Sequence, residues 1–253
     1  NMFQRRILGL VSYYKGDDEK LFAKKTIHFV KHVMSDTHQD IYNSNEYMER
    51  KLSLQRRQAG ASSMGDYMQS TRQACNFVFP YINEEINGNT RPSASKIRQK
   101  LAQQEKQSGV PKTDDKEATQ NKQEFANQVK KEYDLFMTAL VQHWKSLHAN
   151  DVRNNHTIKD DIKLYMDQYK ARFDEFIADK KPKSTLLAQM FDCSPKMTNI
   201  VFNILHSPGP TVMYSQFVNM EGIGVFKIYL KFVGFSNNAN IKTNEKSLTY
   251  VEF

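Results

Sequence analysis

The last part of the chain constrains the fold most, because helix-like and strand-like patterns alternate along it. Ser194 is placed to cap a helix that Pro195 opens. After the turn letters SPGP, residues 211–214 predict a buried strand, and residues 223–233 predict a second helix with Gly234 as its C′ residue. The letters LTYV are the next strand candidate. The order helix, strand, helix, strand predicts the start of a parallel α/β sheet.

Two amphipathic patterns between residues 124 and 181 predict an antiparallel helical hairpin. In the first, large apolar side chains recur at three- and four-residue steps, namely at Phe125, Val129, Tyr133, Phe136, Leu140, Trp144 and Leu147. In the second, the same spacing is held by Ile158, Ile162, Tyr165, Tyr169, Phe173 and Phe176. The polar loop NDVRNNHT separates the two helices, and Pro182 ends the unit.

Apolar residues also alternate along residues 26–34, which predicts a half-buried strand that contains Ile27, Phe29 and Val33. Ser35 or Asp36 is the expected N-cap of the polar helix that follows.

Two further segments differ in composition. The aromatic run in NFVFPYI is stopped by Pro80 and is typical of a docking segment or an edge strand. Residues 87–123 contain few large apolar groups, so they cannot bury enough surface to offset the entropy of ordering. We therefore expect that segment to be flexible or weakly helical.

The charge of the chain favours no single function. There are 36 Lys and Arg against 28 Asp and Glu, a net charge of +8. A polyanionic partner such as nucleic acid and an ordinary solvated basic surface are both consistent with that balance.

No apolar run is long enough to cross a bilayer. Two distant cysteines, Cys75 and Cys193, and the lack of a signal peptide indicate a reducing compartment. The sequence opens without a cap signal or an initiator Met and closes on the strand-like letters SLTYVEF, so we expect a fragment of a larger protein.

Ser215 and Gln216 are the first candidates for a binding site. They follow the predicted strand, and the carboxyl ends of parallel strands are where α/β folds present ligand-binding groups, in a loop that leads toward a helix N-terminus. A hydroxyl, an amide and backbone N–H groups suit a phosphate backbone. The alternative is that Ser215 caps the next element and Gln216 is solvated. Arg5 and Arg6 could contact phosphates or pair with surface carboxylates.

Other patterns predict no catalytic, cofactor-binding or metal-binding residue. His28 and His32 lack further ligands at metal-site spacing, and the acidic letters GDDE are typical of an exposed turn. Cys75 has no histidine nearby in sequence and is more typical of a small buried residue than of a nucleophile. No G-x-x-x-x-G-K-[ST] motif occurs, so this chain cannot hold a nucleotide by the phosphate-loop mechanism.

Several tracts, taken in order, resemble a helicase family. They are FQRRILGLVSYYKG, VMSDTHQDIYNSNEYMERK, STRQACNFVFP, SPKMTNIVFNIL and TVMYSQFVNMEGIGVFKIYLKFVGF. Together they resemble the middle portion of the superfamily-2 helicases of large cytoplasmic DNA viruses, in particular the group of the small subunit of the poxvirus early transcription factor. The arginine pair, the MS…Q..IY tract and the SPKM…VMYSQF unit show a wider likeness to Swi/Snf-type DNA translocases. The resemblance covers the beginning and the end of the chain.

That resemblance implies a two-lobed ATP-dependent motor and divides the chain. Residues 1–86 would connect the lobes, 87–123 would be a polar flexible segment, 124–181 a helical hairpin insertion, and 182–253 the start of the second RecA-like lobe. The implied fold class is α/β with a large, mainly α-helical insertion. The lobe with the phosphate loop and acidic box would precede Asn1, and the late arginine motif would follow Phe253.

The resemblance also implies roles for individual residues. Ser215 and Gln216 match the position of the fourth helicase motif, which contributes to binding of the nucleic-acid backbone. Arg5, Arg6 and Arg72 are further candidates for DNA or lobe-interface contacts.

The implied function is that of an ATP-dependent DNA helicase or translocase in early viral transcription. ATP and Mg²⁺ would bind mainly outside this segment. DNA, together with the viral transcription machinery or the partner subunit of an early transcription factor, would be the partners, with no membrane association. The implied location is the viral factory in the host cytoplasm and the virion. The alternative is a non-catalytic basic helical module that binds nucleic acid or a transcription protein through residues 124–177.

Overall fold

The computed structural model describes residues 26–58, 68–92, 97, 115–170, 172–237 and 248–251. Two compact units are present, Asn1–His32 and Val33–Phe253. The strand predicted for residues 26–34 is wrong, because this stretch has no regular secondary structure and Phe29 and Val33 are 90% and 86% exposed. A strand needs a hydrogen-bonded neighbour, and none of the described residues provides one there.

The described residues of the second unit form eight α-helices and two short strands. The helices are α1 (Asp36–Gln58), α2 (Gln69–Ala74), α3 (Asp115–Arg153), α4 (Ile158–Leu164), α5 (Phe173–Ala178), α6 (Thr185–Cys193), α7 (Pro195–His206) and α8 (Ile223–Phe232). A π-helical turn, Tyr165–Tyr169, lies between α4 and α5. The strands are β1 (Ser236–Asn237) and β2 (Thr249–Tyr250). Within the described ranges, no helix is both long and apolar enough to span a membrane.

Helices α1 and α2 pack together through capping side chains. Ser35 is the N-cap of α1, as predicted, since its Oγ accepts a hydrogen bond from the His38 N–H at 3.3 Å. Glu49 of α1 accepts hydrogen bonds from the N–H groups of Ser70 and Thr71 at 2.8 and 3.0 Å. This carboxylate therefore satisfies the N-terminal amides of α2, a short helix whose own residues supply no side-chain cap.

Helix α3 is the longest element, with 39 residues. It confirms the first amphipathic helix and begins earlier than predicted, at Asp115, within the stretch expected to be flexible or weakly helical. Its apolar stripe is buried, with Phe136, Leu140 and Trp144 no more than 3% exposed. The stripe predicted from the sequence therefore forms part of the core.

The second amphipathic helix is divided rather than continuous. It comprises α4, the π-helical turn and α5, and Lys170 ends the turn in the left-handed conformation at φ 43°. The Tyr165 ring, fully buried, packs edge-on against Phe176 and Phe202 at centroid distances of 5.5 and 5.0 Å. The apolar spacing thus identified the buried residues correctly but did not indicate the break.

Two buried carboxylates fix the start of α6. Asp151, at the end of α3, accepts hydrogen bonds from the N–H groups of Thr185 and Leu186 at 2.9 and 3.0 Å. Asp161 accepts one from the Ser184 N–H at 2.9 Å. Because α6 is buried between these elements, its N-terminal amides are satisfied by protein groups rather than by water.

The aromatic run after α2 docks into the core. Phe77 and Phe79 are each 1% exposed, and the Val78 N–H donates to the Cys193 carbonyl at 3.0 Å. The Trp144 and Tyr229 rings meet edge-on at 5.0 Å nearby. Of the two interpretations offered by the sequence, this segment is the docking segment.

The ends of α7 and α8 match the sequence signals. Ser194 Oγ accepts a hydrogen bond from the Met197 N–H at 3.0 Å, and Pro195 is the first residue of α7. Gly234 has φ 103° after α8, and the Phe235 N–H donates to the Leu230 carbonyl at 2.9 Å. That is the hydrogen bond of a Schellman motif, which requires a residue that tolerates positive φ.

The predicted parallel sheet is present only as a short pair. Ser236 pairs with Thr249 and Asn237 with Tyr250, in parallel, so the strand predicted in LTYV is confirmed as β2. The strand predicted at residues 211–214 is not formed, because no described segment is hydrogen-bonded beside it. Val212 is 94% exposed as a result. The RecA-like lobe therefore stays a prediction.

Candidate functional site

A cleft of about 390 Å³ lies where the end of α2, the start of α7 and the segment before α8 meet. Its polar and charged lining consists of Arg72, Cys75, Asn76, Lys196, Tyr214, Ser215 and Gln216, and its floor is apolar. Two of the lining side chains are cations and none is a carboxylate. The side chains that line the cleft therefore carry net positive charge.

Arg72 and Gln216 face each other across the cleft. The Arg72 guanidinium donates a hydrogen bond of 2.7 Å to Gln216 Oε1, and its Cζ lies 6.0 Å from the centroid of the Phe217 ring. A planar guanidinium is well suited to hold both contacts at once. Three of the candidates from the sequence, Arg72, Ser215 and Gln216, are thus brought together, while Arg5 and Arg6 lie outside the described residues.

Ser215 has a local structural bond. Its Oγ accepts a hydrogen bond from the Phe217 N–H at 3.2 Å, which stabilises the turn that follows. The alternative in which Ser215 caps the next element is wrong, because the N-cap of α8 is Gly222 and the Ser215 bond lies within the turn before that helix. The same hydroxyl retains an O–H donor, because a serine side chain both donates and accepts.

The start of α8 differs from the arrangement expected at the end of a parallel strand. The chain after Gln216 turns back, and the Ile223 and Gly224 N–H groups donate to the carbonyls of Phe217 and Val218 at 3.0 and 2.8 Å. The expectation that this loop offers helix N-terminal amides to a ligand is therefore wrong for these two groups. A turn within residues 217–224 satisfies both groups instead.

Gly222 makes this turn possible by its lack of a side chain. A Cβ at this position would lie 1.7 Å from the Phe217 carbonyl oxygen, which is far inside van der Waals contact. The turn after Gln216 therefore requires glycine here.

Lys196 is a cleft residue that lies within the SPKM tract, although the resemblance implied no role for it. Its Nζ donates a hydrogen bond of 2.7 Å to Asn76 Oδ1. Lys196 follows Pro195 in the first turn of α7, where the helix dipole already places positive charge. A cation is locally unfavourable there by about 0.3–1 kcal/mol. That mismatch between residue type and helix position was a usable signal in the sequence.

A buried ion pair lies behind the two walls of the cleft. Arg91 and Glu221 are 7% and 0% exposed, and Arg91 Nη2 donates to Glu221 Oε2 at 2.9 Å. The same nitrogen donates to Gln73 Oε1 at 2.8 Å. Gln73 follows Arg72, and Glu221 lies in the turn after Gln216, so Arg91 ties both walls together. Arg91 lies in the polar segment expected to be flexible, and composition alone does not reveal its burial.

The thiol in the cleft is not activated. Cys75 is exposed, not buried as the sequence suggested. Partial desolvation still raises the pKa of its thiol and outweighs the opposing influence of the Lys196 and Arg72 cations and of a hydrogen bond with Tyr42. Because the thiolate is the nucleophilic form, the raised pKa disfavours nucleophilic chemistry at this thiol.

ATP and Mg²⁺ have no evident ligands among the residues that the structure describes. No group of three or more His, Cys, Asp or Glu in the described ranges is arranged to hold a metal ion. The chain also lacks the phosphate-loop sequence throughout. The chemistry available to the cleft is hydrogen bonding and charge pairing with an anion.

Comparison with known proteins gives one informative match. No family model matches the chain, and no solved structure matches it. Over 245 residues the chain is 37% identical to a protein of Acanthamoeba polyphaga mimivirus whose name describes it as a putative ATP-dependent RNA helicase. The chain is similar to part of a viral helicase. The match covers 94% of this chain but 29% of the mimivirus protein.

That match bears on the family expected from the sequence tracts. It supports the similarity to viral helicases. It does not show whether the chain is related to the poxvirus transcription-factor group or to the Swi/Snf-type translocases. The name of the mimivirus protein specifies RNA, whereas the resemblance of the tracts implied DNA.

Proposed function

We propose that this chain is the nucleic-acid-gripping segment of an ATP-dependent viral helicase, and that its cleft holds the phosphate backbone. The observation that carries the proposal is the lining of the cleft, which combines Arg72 and Lys196 with hydroxyl and amide groups and contains no carboxylate. Positive side chains supply most of the affinity of proteins for nucleic acid, because they neutralise phosphates and release counterions.

The two cations are held in position by amide side chains. Gln216 accepts from Arg72 and Asn76 accepts from Lys196, both at 2.7 Å. A guanidinium carries five N–H donors and an ammonium three, so these bonds are compatible with further bonds to a phosphate. Prior orientation reduces the entropy that is lost when the ligand binds.

The cleft contacts implied here are to phosphates, which DNA and RNA share. Such contacts fix the position of a strand without reading its sequence. The resemblance of the tracts supports a DNA translocase in early viral transcription, active in the host cytoplasm and carried in the virion. The name of the mimivirus relative supports RNA. Assays with both nucleic acids decide between these finer proposals.

The proposal includes the start of a second RecA-like lobe at residues 182–253. Supporting it, side chains along residues 212–218 alternate between exposed and partly buried, as they do in a strand with one covered face. In the whole helicase that segment would have a neighbouring strand, and ATP and Mg²⁺ would be bound by other parts of the protein. Closure of two lobes on ATP would then alternate the grip on the strand.

The alternative function, a partner-binding helical module, has less support. For a protein partner it would use an accessible apolar face on residues 124–177, yet Phe136, Leu140 and Trp144 of α3 are buried in the core.

The experiment that tests the proposal is the nucleic-acid-stimulated ATPase of the intact protein, measured with RNA and with DNA. We expect the joint change Arg72→Ala and Lys196→Ala to abolish stimulation and to leave the basal ATPase unchanged. Lys145→Ala, an exposed cation on α3, is the matched control. Full stimulation in the double variant would refute the proposed role of the cleft.

A further inference from the structure

We propose that Tyr214 is a phosphorylation site, and that its phosphate closes the cleft to nucleic acid by binding Arg72 and Lys196 itself. This inference rests on the proposed function and adds a means of regulating the same site. It gives a role to an exposed tyrosine that the binding of a nucleic-acid backbone does not require.

The first observation is the exposure of Tyr214 compared with that of other tyrosines. In the described ranges three tyrosines are exposed, Tyr47 at 65%, Tyr81 at 63% and Tyr214 at 88%. Tyr47 lies within helix α1, and the Tyr81 hydroxyl donates a hydrogen bond of 2.9 Å to Glu84 Oε1. Tyr214 lies outside helices and strands, and no described residue is hydrogen-bonded to its hydroxyl. It is therefore the most accessible acceptor of the three.

The second observation is the exposed segment that leads to Tyr214. Residues 206–212 are all exposed, and from residue 207 to residue 215 the chain forms no helix or strand. At Gly209 a Cβ would have no atom within 4 Å, so the described part of the chain leaves open space around this segment. A kinase holds the residues around its acceptor in its own groove. Residues 207–215 can enter such a groove without the prior opening of a helix or a strand.

The third observation is the charge that a phosphate on Tyr214 meets. Tyr214 lines the same cleft as Arg72 and Lys196, and no carboxylate lines it. A cleft of about 390 Å³ is only a few side chains wide, so this phosphate lies within reach of the cations. A phosphotyrosine carries a charge of about −1.5 to −2 at pH 7 and forms about one to three charge-assisted hydrogen bonds with such groups.

The modification is a phosphoryl transfer from ATP, catalysed by a protein tyrosine kinase. The Tyr214 hydroxyl oxygen attacks the γ-phosphorus, the new O–P bond forms, and the bond to the β-phosphate oxygen breaks. ADP leaves, and the phenolic proton passes to the catalytic aspartate of the kinase. Because the phosphate is tethered to the cleft, its effective concentration there is on the order of millimolar, and it competes with strands that arrive from solution.

The first test maps phosphorylation on the folded chain. The full chain is treated with ATP and a purified tyrosine kinase of broad specificity, and mass spectrometry follows each modified residue with time. We expect Tyr214 to be modified before Tyr47 and Tyr81. Modification of Tyr47 or Tyr81 with Tyr214 left unmodified would overturn the assignment of the site.

The second test measures what the phosphate does to binding. Full chains with phosphotyrosine incorporated at position 214, or at position 81 as the matched control outside the cleft, are titrated with labelled RNA and DNA strands. Phosphate at position 214 should weaken binding by about 10- to 150-fold, the effect of losing one charge-assisted hydrogen bond. Phosphate at position 81 should have little effect. Tyr214→Phe should bind as the native chain does and should keep its affinity after treatment with the kinase.

The third test shows whether the two cations hold the phosphate. The ³¹P resonance of phosphotyrosine at position 214 should titrate at lower pH with the native cleft than with Arg72→Ala and Lys196→Ala combined, because nearby cations favour the dianion. Identical titrations in the two chains, or native affinity of the phosphorylated chain for both strands, would overturn this inference. If the unphosphorylated double variant still bound both strands more weakly, the phosphate-binding cleft would stand. If that variant bound as the native chain does, the proposed function would fail and the regulatory role with it.

Discussion

Arg72 and Gln216, 144 positions apart in the sequence, are joined by a hydrogen bond of 2.7 Å. The bond unites the end of α2 with the segment before α8, so the cleft is built from distant parts of the chain. Each residue was singled out by the helicase-like tracts, and their contact gives those separate signals one location.

The first prediction concerns this pair. Gln216→Ala should weaken nucleic-acid binding less than Arg72→Ala, because it removes the orienting acceptor and leaves the cation. The free energy of binding of the double variant should lie within about 0.5 kcal/mol of that of Arg72→Ala, since the two residues act through one contact. Equilibrium titrations of the three variants measure this coupling. Strictly additive losses would show that Gln216 acts independently of Arg72.

The second prediction concerns the buried pair behind the cleft. Arg91→Met should lower the free energy of unfolding by about 3–5 kcal/mol, because it leaves the Glu221 carboxylate buried without its cationic partner. Arg91→Met combined with Glu221→Leu should recover most of that loss, since buried ion pairs are often replaceable by apolar residues. Urea unfolding of the single and double variants is the measurement.

The same variants test the positioning role of Arg91. If Arg91 only stabilised the core, the variant with both Arg91→Met and Glu221→Leu, whose stability is recovered, would bind nucleic acid normally. We expect its affinity to stay reduced, because Gln73 has lost the guanidinium to which it is bonded and the two walls are no longer tied.

The third prediction concerns the start of α6. Asp151→Ala should lower the free energy of unfolding by about 2–4 kcal/mol, since it leaves two buried amides and the Thr185 hydroxyl without their acceptor. Asp134→Ala, an exposed acid on the same helix, is the control and should be nearly neutral. Similar unfolding curves for the two variants would contradict this account of the cap.

The fourth prediction is a pH dependence at His38. Its Nε2 must donate to the Ala74 carbonyl, 2.6 Å away, so the buried Nδ1 is deprotonated in the neutral ring. Burial lowers the pKa of His38 from 6.5, and the Ala74 bond opposes this only partly. A lowered pKa means that the unfolded chain binds the proton more readily, so stability is full above pH 6.5 and falls as the pH drops below it.

Urea unfolding of the native chain and of His38→Gln across that range measures the effect. A glutamine amide can donate to the same carbonyl but does not titrate. We expect the acid-side loss of stability to be smaller in His38→Gln than in the native chain. Parallel pH profiles would rule out His38 as its source.

Short-range signals predicted much of the helical structure. Ser35, Ser194 and Gly234 each mark a helix end because one residue satisfies an unpaired backbone group or adopts a positive φ. The apolar period also identified the buried face of α3, because period and burial follow from the geometry of one helix.

Features that depend on distant partners could not be predicted in this way. Alternation of apolar residues around Phe29, and the position of residues 211–214 between two helix patterns, favoured strands. Neither pattern supplies the neighbouring strand that pairing requires. The burial of Arg91 depends on Glu221, 130 positions away, which no local pattern indicates. The tracts contain all of the polar and charged residues of the cleft, but the resemblance implied roles only for Arg72, Ser215 and Gln216. The fold then shows that Lys196 and Tyr214 line the same cleft.

The central claim is that the cleft binds a phosphate backbone through its two cations. The most direct measurement is the salt dependence of binding of a single strand to the native chain and to the Arg72→Ala, Lys196→Ala double variant. Loss of two phosphate contacts should make the slope of log K against log salt shallower by about 1.4. An unchanged slope would contradict the claim, because the cleft would then hold no phosphates.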